Sequence, residues 1–172
     1  TRSGEKRLIS WSNTVLTNED GSVEYIIATG IDITEVRRAE EKLRLYQRIF
    51  DSSGDGITIF DHNNRLIARN PAHRNNTGYS DEEMIGMAAA DLIGEEPLVR
   101  VVDALRARGE FRGEVMVRRR DGTDLPVDLA VFQIRDEGGD VLYTVGMGRD
   151  ITARKLAEQA LQRANDELEK RV

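Results

Sequence analysis

GIDITEVRRAEEKL at residues 30–43 and GRDITARKLAEQAL at residues 148–161 are two versions of one sequence, separated by 118 residues. The correspondence runs without a gap between residues 2–47 and 120–165, where thirteen positions are identical. A repeat of this length indicates two copies of one structural unit, and its period is that of a domain rather than a solenoid. We therefore expect one whole unit and the C-terminal part of another.

The composition of the chain excludes several functional classes. The 172 residues are 39% hydrophobic and 33% charged, as in a globular protein with long solvated helices, and the net charge of −6 argues against a nucleic-acid partner. The absence of cysteine removes disulfides, thiolate catalysis, cysteine-ligated metals and cysteinyl–flavin chemistry. The apolar runs are far shorter than the ~20 residues of a membrane span, so we expect no membrane contact and a cytoplasmic location. Thr1 is not a natural start, so the sequence is expected to be a piece of a longer protein.

The first copy reads as a hairpin followed by a helix. Two β-prone runs at 7–16 and 23–29 flank the turn-forming residues 18–21. Thr34 then supplies a hydroxyl that can cap a helix. Within that helix, apolar residues recur at the 3,4 spacing of a coiled-coil seam, at Val36, Ala39, Leu43, Tyr46 and Phe50.

The second copy is preceded by further elements that complete a domain. The predicted strands are 57–60, 65–69, 113–120, 125–134 and 141–147. Helical segments lie between the second and third strands, and the longest of them is predicted at 95–108. Hairpin turns join consecutive strands, which predicts an antiparallel sheet with helices on one face. Thr152 caps a last helix with its own seam at Ala157, Leu161, Ala164 and Leu168.

Short motifs recur in a definite order and spacing across residues 50–152. They are Asp55-Gly56-Ile57, Asn70-Pro71-Ala72, Thr77-Gly78-Tyr79-Ser80, Gly109-Glu110-Phe111-Arg112-Gly113-Glu114, Arg119-Arg120-Asp121-Gly122 and Arg149-Asp150-Ile151-Thr152. Together they resemble a PAS domain of the bacterial signalling type, with its PAC motif. The resemblance implies an α+β PAS fold: a five-stranded antiparallel sheet ordered 2-1-5-4-3, short helices over a small pocket on one face, and flanking coiled-coil helices.

Residues 2–34 resemble the last two strands of a preceding PAS domain. The expected organisation is therefore a strand hairpin of that preceding domain at 1–34, a linker helix at 35–53, a complete PAS domain at 54–152 and an exit coiled-coil helix at 153–172.

No constellation of catalytic residues is apparent, so we expect a regulatory domain and not an enzyme. With two histidines and no cysteine, triads and tetrahedral zinc sites lack ligands, and no metal site is predicted. His62 and His73 are both expected at the surface. Flavin-binding light sensors of this superfamily carry amide side chains at the positions that match Val117, Val127 and Gly148, so no cofactor is predicted and the protein should be colourless. Flavin is favoured over haem if one is present.

Strand alternation places eight residues on the face that the resemblance assigns to the pocket. They are Val115, Val117, Val127, Leu129, Val131, Thr144, Gly146 and Gly148. They form either a filled core or a cavity for a small, mostly apolar ligand. In the first copy Trp11 takes the place of Leu129, and without covering helices it should be exposed or packed against another molecule. The opposite, outer face also needs a cover; it carries Ala130, Phe132, Tyr143, Val145 and Met147.

Asp150 stands where the last strand becomes the exit helix. It is either a helix cap alone or, together with Thr152 and a pairing arginine such as Arg119 or Arg120, a latch that relays strain into the helix. The leading hypothesis is a sensory and dimerisation module of a signal-transduction protein, for instance a two-component sensor histidine kinase or a diguanylate cyclase. The alternatives are a ligand-free dimerisation spacer and a flavin or haem redox sensor. A homodimer is expected through the two seams, at Val36, Leu43, Tyr46, Leu161 and Leu168.

Overall fold

The computed structural model of the chain describes residues 4–169. Along the chain lie β1 (Ile9–Thr17), β2 (Val23–Asp32), α1 (Thr34–Ser52), β3 (Gly56–Phe60), β4 (Leu66–Arg69), α2 (Pro71–Thr77), α3 (Asp81–Met84), α4 (Ala89–Ile93), α5 (Glu95–Arg108), β5 (Glu110–Arg118), β6 (Asp124–Arg135), β7 (Val141–Asp150) and α6 (Thr152–Glu169). The chain divides into two units, one up to Ile49 and one from Phe50, with the boundary inside α1.

The first unit is an antiparallel hairpin of β1 and β2 that leads into α1. Its turn is closed by backbone bonds from Asn18 N to Ser22 O (2.8 Å) and from Gly21 N to Asn18 O (2.9 Å). Gly21 has φ of 82°, a conformation that glycine adopts without a Cβ penalty. Among its described residues, none is fully buried. The hairpin therefore lacks a core of its own.

The second unit has a five-stranded antiparallel sheet in the order β4-β3-β7-β6-β5. Numbered within this unit alone, the order is 2-1-5-4-3. The predicted fold class, α+β with an antiparallel sheet of five strands, is confirmed. Strands β5 and β7 are each three residues longer than predicted at one end, because Glu110 pairs with Phe132 and Asp150 pairs with Val127 across the ladders.

The helices of the second unit lie between β4 and β5, and α5 has the predicted ends. Helix α4 was not predicted, because its N-cap residue, Ala88, has no polar side chain to signal a helix start. Helix 95–108 is consequently the fourth helix of the unit and not the third. Two apolar clusters form the core, one around Leu105, Phe111 and Leu125 and one around Leu66 and Met84, and Ile93 packs against both.

The two hairpins have the same hydrogen-bond register. In the first, Ile9 faces Asp32 and the ladder runs to Thr17 opposite Val23. In the second, each of these residues is replaced by the one 118 positions later, so that Val127 faces Asp150 and the ladder ends at the corresponding pair. The irregularity near the turn also recurs at the equivalent place in both ladders. The sequence repeat is thus a repeat of structure down to single residue pairs.

Candidate functional site

A cavity of about 100 Å³ lies in the second unit, between the sheet and helices α2, α4 and α5. Seven of the eight predicted pocket residues line it: Val117, Val127, Leu129, Val131, Thr144, Gly146 and Gly148. The eighth, Val115, does not line the cavity. It belongs to the apolar core cluster that also contains Val101 and Phe111. Val115 lies two residues before Val117 on β5, where its side chain is packed in the core.

Two glycines of β7 keep the cavity open. A Cβ on Gly146 would lie 2.8 Å from Oγ1 of Thr58, and a Cβ on Gly148 would lie 2.7 Å from Cγ1 of Val127. Both distances are shorter than real Cβ contacts, so any side chain at these positions would displace its neighbours. The side chains of Thr58 and Val127 thus lie close over these two residues, and only glycine fits at either position beside the cavity.

His73 lines the cavity, and its prediction as a surface residue was wrong. The cause is Asn70, whose Oδ1 accepts from His73 N (3.0 Å) and from Ile57 N (2.8 Å), and whose Nδ2 donates to Asp55 O (2.9 Å). These bonds hold the start of α2 against β3, so the face of α2 with His73, Asn76 and Thr77 turns inward. A signal was present in the sequence, since 73, 76 and 77 have the spacing of one helix face.

The charge state of His73 follows from its surroundings. Burial, and then the positive charge of Arg69, lower the pKa of His73 to about 4. The imidazole is therefore neutral near pH 7, and its Nδ1 is buried without a hydrogen-bond partner. His62, by contrast, lies exposed in a turn beside Asn63, as predicted.

Arg69 is a buried cation behind the cavity, with its side chain 1% exposed. Its Nε and Nη2 contact Asp81 Oδ1 at 2.8 and 2.7 Å, and Nη2 also donates to Tyr79 O at 2.7 Å. Its Nη1 is buried without a partner. Arg69 supplies the charge that disfavours protonation of His73. Nothing in the sequence pattern of β4 marked it as a functional residue.

At the junction between sheet and exit helix, the structure shows the cap predicted for Asp150 and not the arginine pair of the alternative latch. Oδ1 of Asp150 accepts from the backbone N of Thr152 at 2.8 Å, which is a cap of α6. Among the ion pairs of residues 4–169, Asp150 has none. Arg118 pairs with Asp124 (2.6 Å), and Arg120 pairs with Glu83 (2.9 Å). Strand β6 separates these arginines from β7, so they cannot reach Asp150 across the sheet.

The remaining predicted relay residues are placed as follows. The backbone N of Arg119 bonds to Thr123 O in the β5–β6 turn, and its Nε is buried without a partner. Oγ1 of Thr152 is also buried without a partner. Thr152 thus begins α6 through its backbone, while its hydroxyl forms no bond.

A different contact joins α6 to the sheet. Glu114 on β5 forms ion pairs with Arg154 (2.6 Å) and Lys155 in the first turn of α6. The hydrogen bond from Lys155, and then the two positive charges, lower the pKa of Glu114. Ile151 N also donates to Pro126 O (3.1 Å), and Ile151 is buried. These contacts fix where α6 leaves the sheet, and the sequence reasoning missed all of them.

The predicted dimer residues are exposed in the chain. Leu43 is 68% and Leu161 is 64% exposed, and Val36 and Tyr46 are also mostly exposed. The side chain of Leu168 lies outside the described residues. On the outer face of the sheet, Phe132, Tyr143 and Met147 are exposed, whereas Val145 is buried.

The described residues contain neither a metal-binding cluster nor a membrane-spanning helix. Between residues 4 and 169, no group of three or more His, Cys, Asp or Glu side chains is arranged to hold a metal ion. In the same range, no helix is both long and apolar enough to cross a membrane.

Residues 54–153 match the family described as PAS domain. The PAS domain of a Colwellia psychrerythraea protein superposes with a TM-score of 0.60 and 26% identity, covering 65% of this chain and 98% of that one. The family match thus falls on the part of the chain that contains the cavity.

Three relatives are signalling proteins. The probable diguanylate cyclase DgcE of Escherichia coli K12 is 25% identical over 170 residues, which are 92% of this chain and 15% of that protein. The sensor histidine kinase TmoS of Ectopseudomonas mendocina is 30% identical over 148 residues, 80% of this chain and 15% of that protein. A blue-light photoreceptor of Listeria innocua is 28% identical over 139 residues, 77% of this chain and 54% of that protein. The chain therefore spans about a seventh of the first two and about half of the third.

Proposed function

This chain belongs to the PAS domain family, and we propose that it is a sensory and dimerisation module that relays occupancy of its cavity to an output domain. The observation that carries this proposal is a cavity whose wall includes Gly148, four residues before the exit helix begins. PAS domains are regulatory modules in signalling proteins, and the relatives include a cyclase and a histidine kinase. An output domain of one of these two classes is part of the proposal.

The proposed relay runs from the cavity wall into α6. Val127 and Gly148 line the cavity, and Val127 faces Asp150 in the ladder. A ligand against these residues is therefore two positions from the end of β7. A shift there changes the Ile151–Pro126 bond and the Glu114 pairs with Arg154 and Lys155. The ligand must bind one arrangement of this junction better than the other, because only differential affinity shifts such an equilibrium.

The first unit is, in this proposal, the last two strands of a preceding PAS domain. The support is the shared register of the two hairpins, including the same irregularity and the same turn bonds. A cytoplasmic location of the module is part of the same proposal.

A homodimer through the two helical seams completes the proposal. Its support is the exposure of Leu43 and Leu161, large apolar side chains at coiled-coil spacing. The double variant Leu43→Asp with Leu161→Asp should be monomeric by light scattering, because it places charges in both seams. The matched control is Arg48→Asp with Gln159→Asp, on the opposite helix faces, which should remain dimeric. A seam variant that stays dimeric would contradict this part.

Native mass spectrometry of the purified chain tests the sensory function. We expect a co-purifying small molecule, and we expect it to be lost in Gly146→Val, since the new side chain enters the cavity against Thr58. Gly54→Val is the matched control, because a Cβ at Gly54 meets nothing within 4 Å. A purified chain that carries no bound small molecule would instead support the ligand-free spacer.

An absorbance spectrum tests the second alternative, a redox or light sensor. The blue-light photoreceptor among the relatives keeps flavin plausible. The cavity, however, is small and its strand positions lack amide side chains. We expect no flavin or haem band, and a stoichiometric flavin spectrum would replace the leading proposal.

A further inference from the structure

Two threonines of the cavity wall already use their hydroxyl hydrogens within the protein. Oγ1 of Thr77 donates to His73 O (2.8 Å), and Oγ1 of Thr58 is within 3.4 Å of Gly146 O. A hydroxyl has one hydrogen, so both of these residues retain only acceptor capacity toward a ligand. These two threonines therefore cannot donate a hydrogen bond to an acceptor group on a ligand.

His73 adds a polar group with unused capacity. The imidazole is neutral near pH 7, so one ring nitrogen carries a hydrogen and the other a lone pair that can accept a hydrogen bond. Nδ1 is buried and has no partner among residues 4–169, which is costly unless a water or ligand supplies one. His73 also sits firmly, because Asn70 binds its backbone and Thr77 binds its carbonyl. A fixed, unpartnered imidazole in an otherwise largely apolar wall is a position where ligands are selected.

The surroundings exclude charged ligands. The positive charge of buried Arg69 disfavours a further cation nearby, and Asp81 already pairs with Arg69, so no free counter-charge remains for an anion. The side chains of the sheet that line the cavity are mainly apolar, and burying an unpaired charge among them is costly. The volume of about 100 Å³ is smaller than the ~150 Å³ cavity that holds benzene in a protein interior.

Building on the sensory function above, we propose that the cavity takes a compact, uncharged, mainly apolar molecule with one hydrogen-bond donor, and that the imidazole of His73 accepts its hydrogen bond. His73 is then the specificity-determining residue of the site. Apolar walls supply the affinity, and His73 distinguishes a ligand with an O–H or N–H group from one of equal shape without it.

Pyrrole and furan provide the test, because they are rings of the same size and only pyrrole carries an N–H donor. Each is titrated into the ¹⁵N-labelled chain, with the amides of Gly146 and Gly148 as reporters of the cavity. We expect pyrrole to bind about fivefold to tenfold more tightly than furan, the usual value of one net hydrogen bond. The ring nitrogen resonances of His73 should also shift with pyrrole and not with furan.

Substitutions assign the preference to His73. His73→Leu should reduce the pyrrole-to-furan ratio to about one while furan still binds, and His73→Gln, which keeps an acceptor, should retain part of the preference. His62→Leu, at the exposed histidine, is the matched control and should leave the ratio unchanged.

The outcomes separate this inference from the function on which it rests. Equal binding of both rings to the unmodified chain overturns the donor preference and leaves the cavity as a ligand site. A preference that survives in His73→Leu overturns the role of His73. If neither ring shifts the reporter amides, the cavity does not take small ligands, and both proposals fail. If His73→Leu does not fold, the unmodified chain provides the test through the ring nitrogen resonances of His73. Tight pyrrole binding that leaves these resonances unshifted refutes the hydrogen bond.

Discussion

The two hairpins of this chain have one register and two different environments. Trp11 in the first is 67% exposed, whereas Leu129, 118 residues later, is half-buried and lines the cavity. Both side chains lie over the glycine of the facing strand, Gly30 or Gly148. A turn and two strands therefore suffice to specify the hydrogen-bond register, whereas the burial of their side chains requires the rest of a domain.

The bonds at the junctions after the two hairpins differ because of two substituted positions. In the first, Arg7 pairs with Asp32 (2.8 Å), and Leu8 N donates to Oγ1 of Thr34 (2.8 Å). In the second, Leu125 and Pro126 occupy the positions of Arg7 and Leu8, so the ion pair and the backbone donor are both missing. The start of α1 is held by bonds between residues of the repeat. The start of α6 is held instead by the ion pairs of Glu114 and by packing in the core.

The largest expected effect comes from comparing Leu125 with Arg7, which occupy equivalent positions in the two hairpins. Leu125 is 2% exposed in the core of the second unit, so Leu125→Ala should lower the free energy of unfolding by about 2–5 kcal/mol. Arg7→Ala removes an ion pair between exposed groups and should cause no measurable loss. Urea unfolding followed by circular dichroism measures both. Similar losses in the two variants would show that the first hairpin has a core after all.

A smaller effect with opposite signs is expected for Thr34 and Thr152. Thr34→Val removes the bond from Leu8 N and should cost about 1 kcal/mol in the first unit. Thr152→Val replaces a buried hydroxyl that has no partner, so it should be neutral or stabilising. Amide hydrogen exchange in α1 and α6 reads out each junction separately.

Serine variants control for the change of shape at these two positions. Thr34→Ser and Thr152→Ser keep the hydroxyl, so each should behave as the unmodified chain does. A loss in Thr152→Val comparable to that in Thr34→Val would mean that the Thr152 hydroxyl is bonded, and the contrast between the junctions would disappear.

The fold was predictable where signals are local or repeated. Turn residues such as Gly21 and Gly139 mark the hairpins, and the 118-residue repeat carries the register from one copy to the other. Helix α4 was not predictable, because Ala88 gives no cap signal and five residues are too few for a periodic pattern. The strand order came from the resemblance, since pairing between distant strands leaves little trace in a single sequence.

The site was predictable on the sheet and not on the helices. Strand alternation places Val127 and Gly146 on the cavity face without further information. The orientation of His73 depends on the bonds of Asn70 to β3, which is a contact between distant segments. Of the two roles considered for Asp150, the structure shows the cap, whereas Arg118 and Arg120 pair with Asp124 and Glu83. The strand order and the β6–β7 ladder together place residues of β6, and not of β5, beside Asp150.

The smallest expected effect is the titration of Asp32, which reports the closed junction directly. Hydrogen bonds from the Thr34 side chain and backbone, and then Arg7, lower the pKa of Asp32 from 3.8 to about 2. Because the folded chain favours the carboxylate, its contribution to stability is complete above pH 3.8 and is lost as the pH falls toward 2. Carbon-13 NMR of the carboxyl group should show this value, and Thr34→Val should raise it more than Arg7→Gln does. If the pKa of Asp32 were at its ordinary value of 3.8, the Thr34 bonds would not persist in solution. The two junctions would then not differ in the way proposed here.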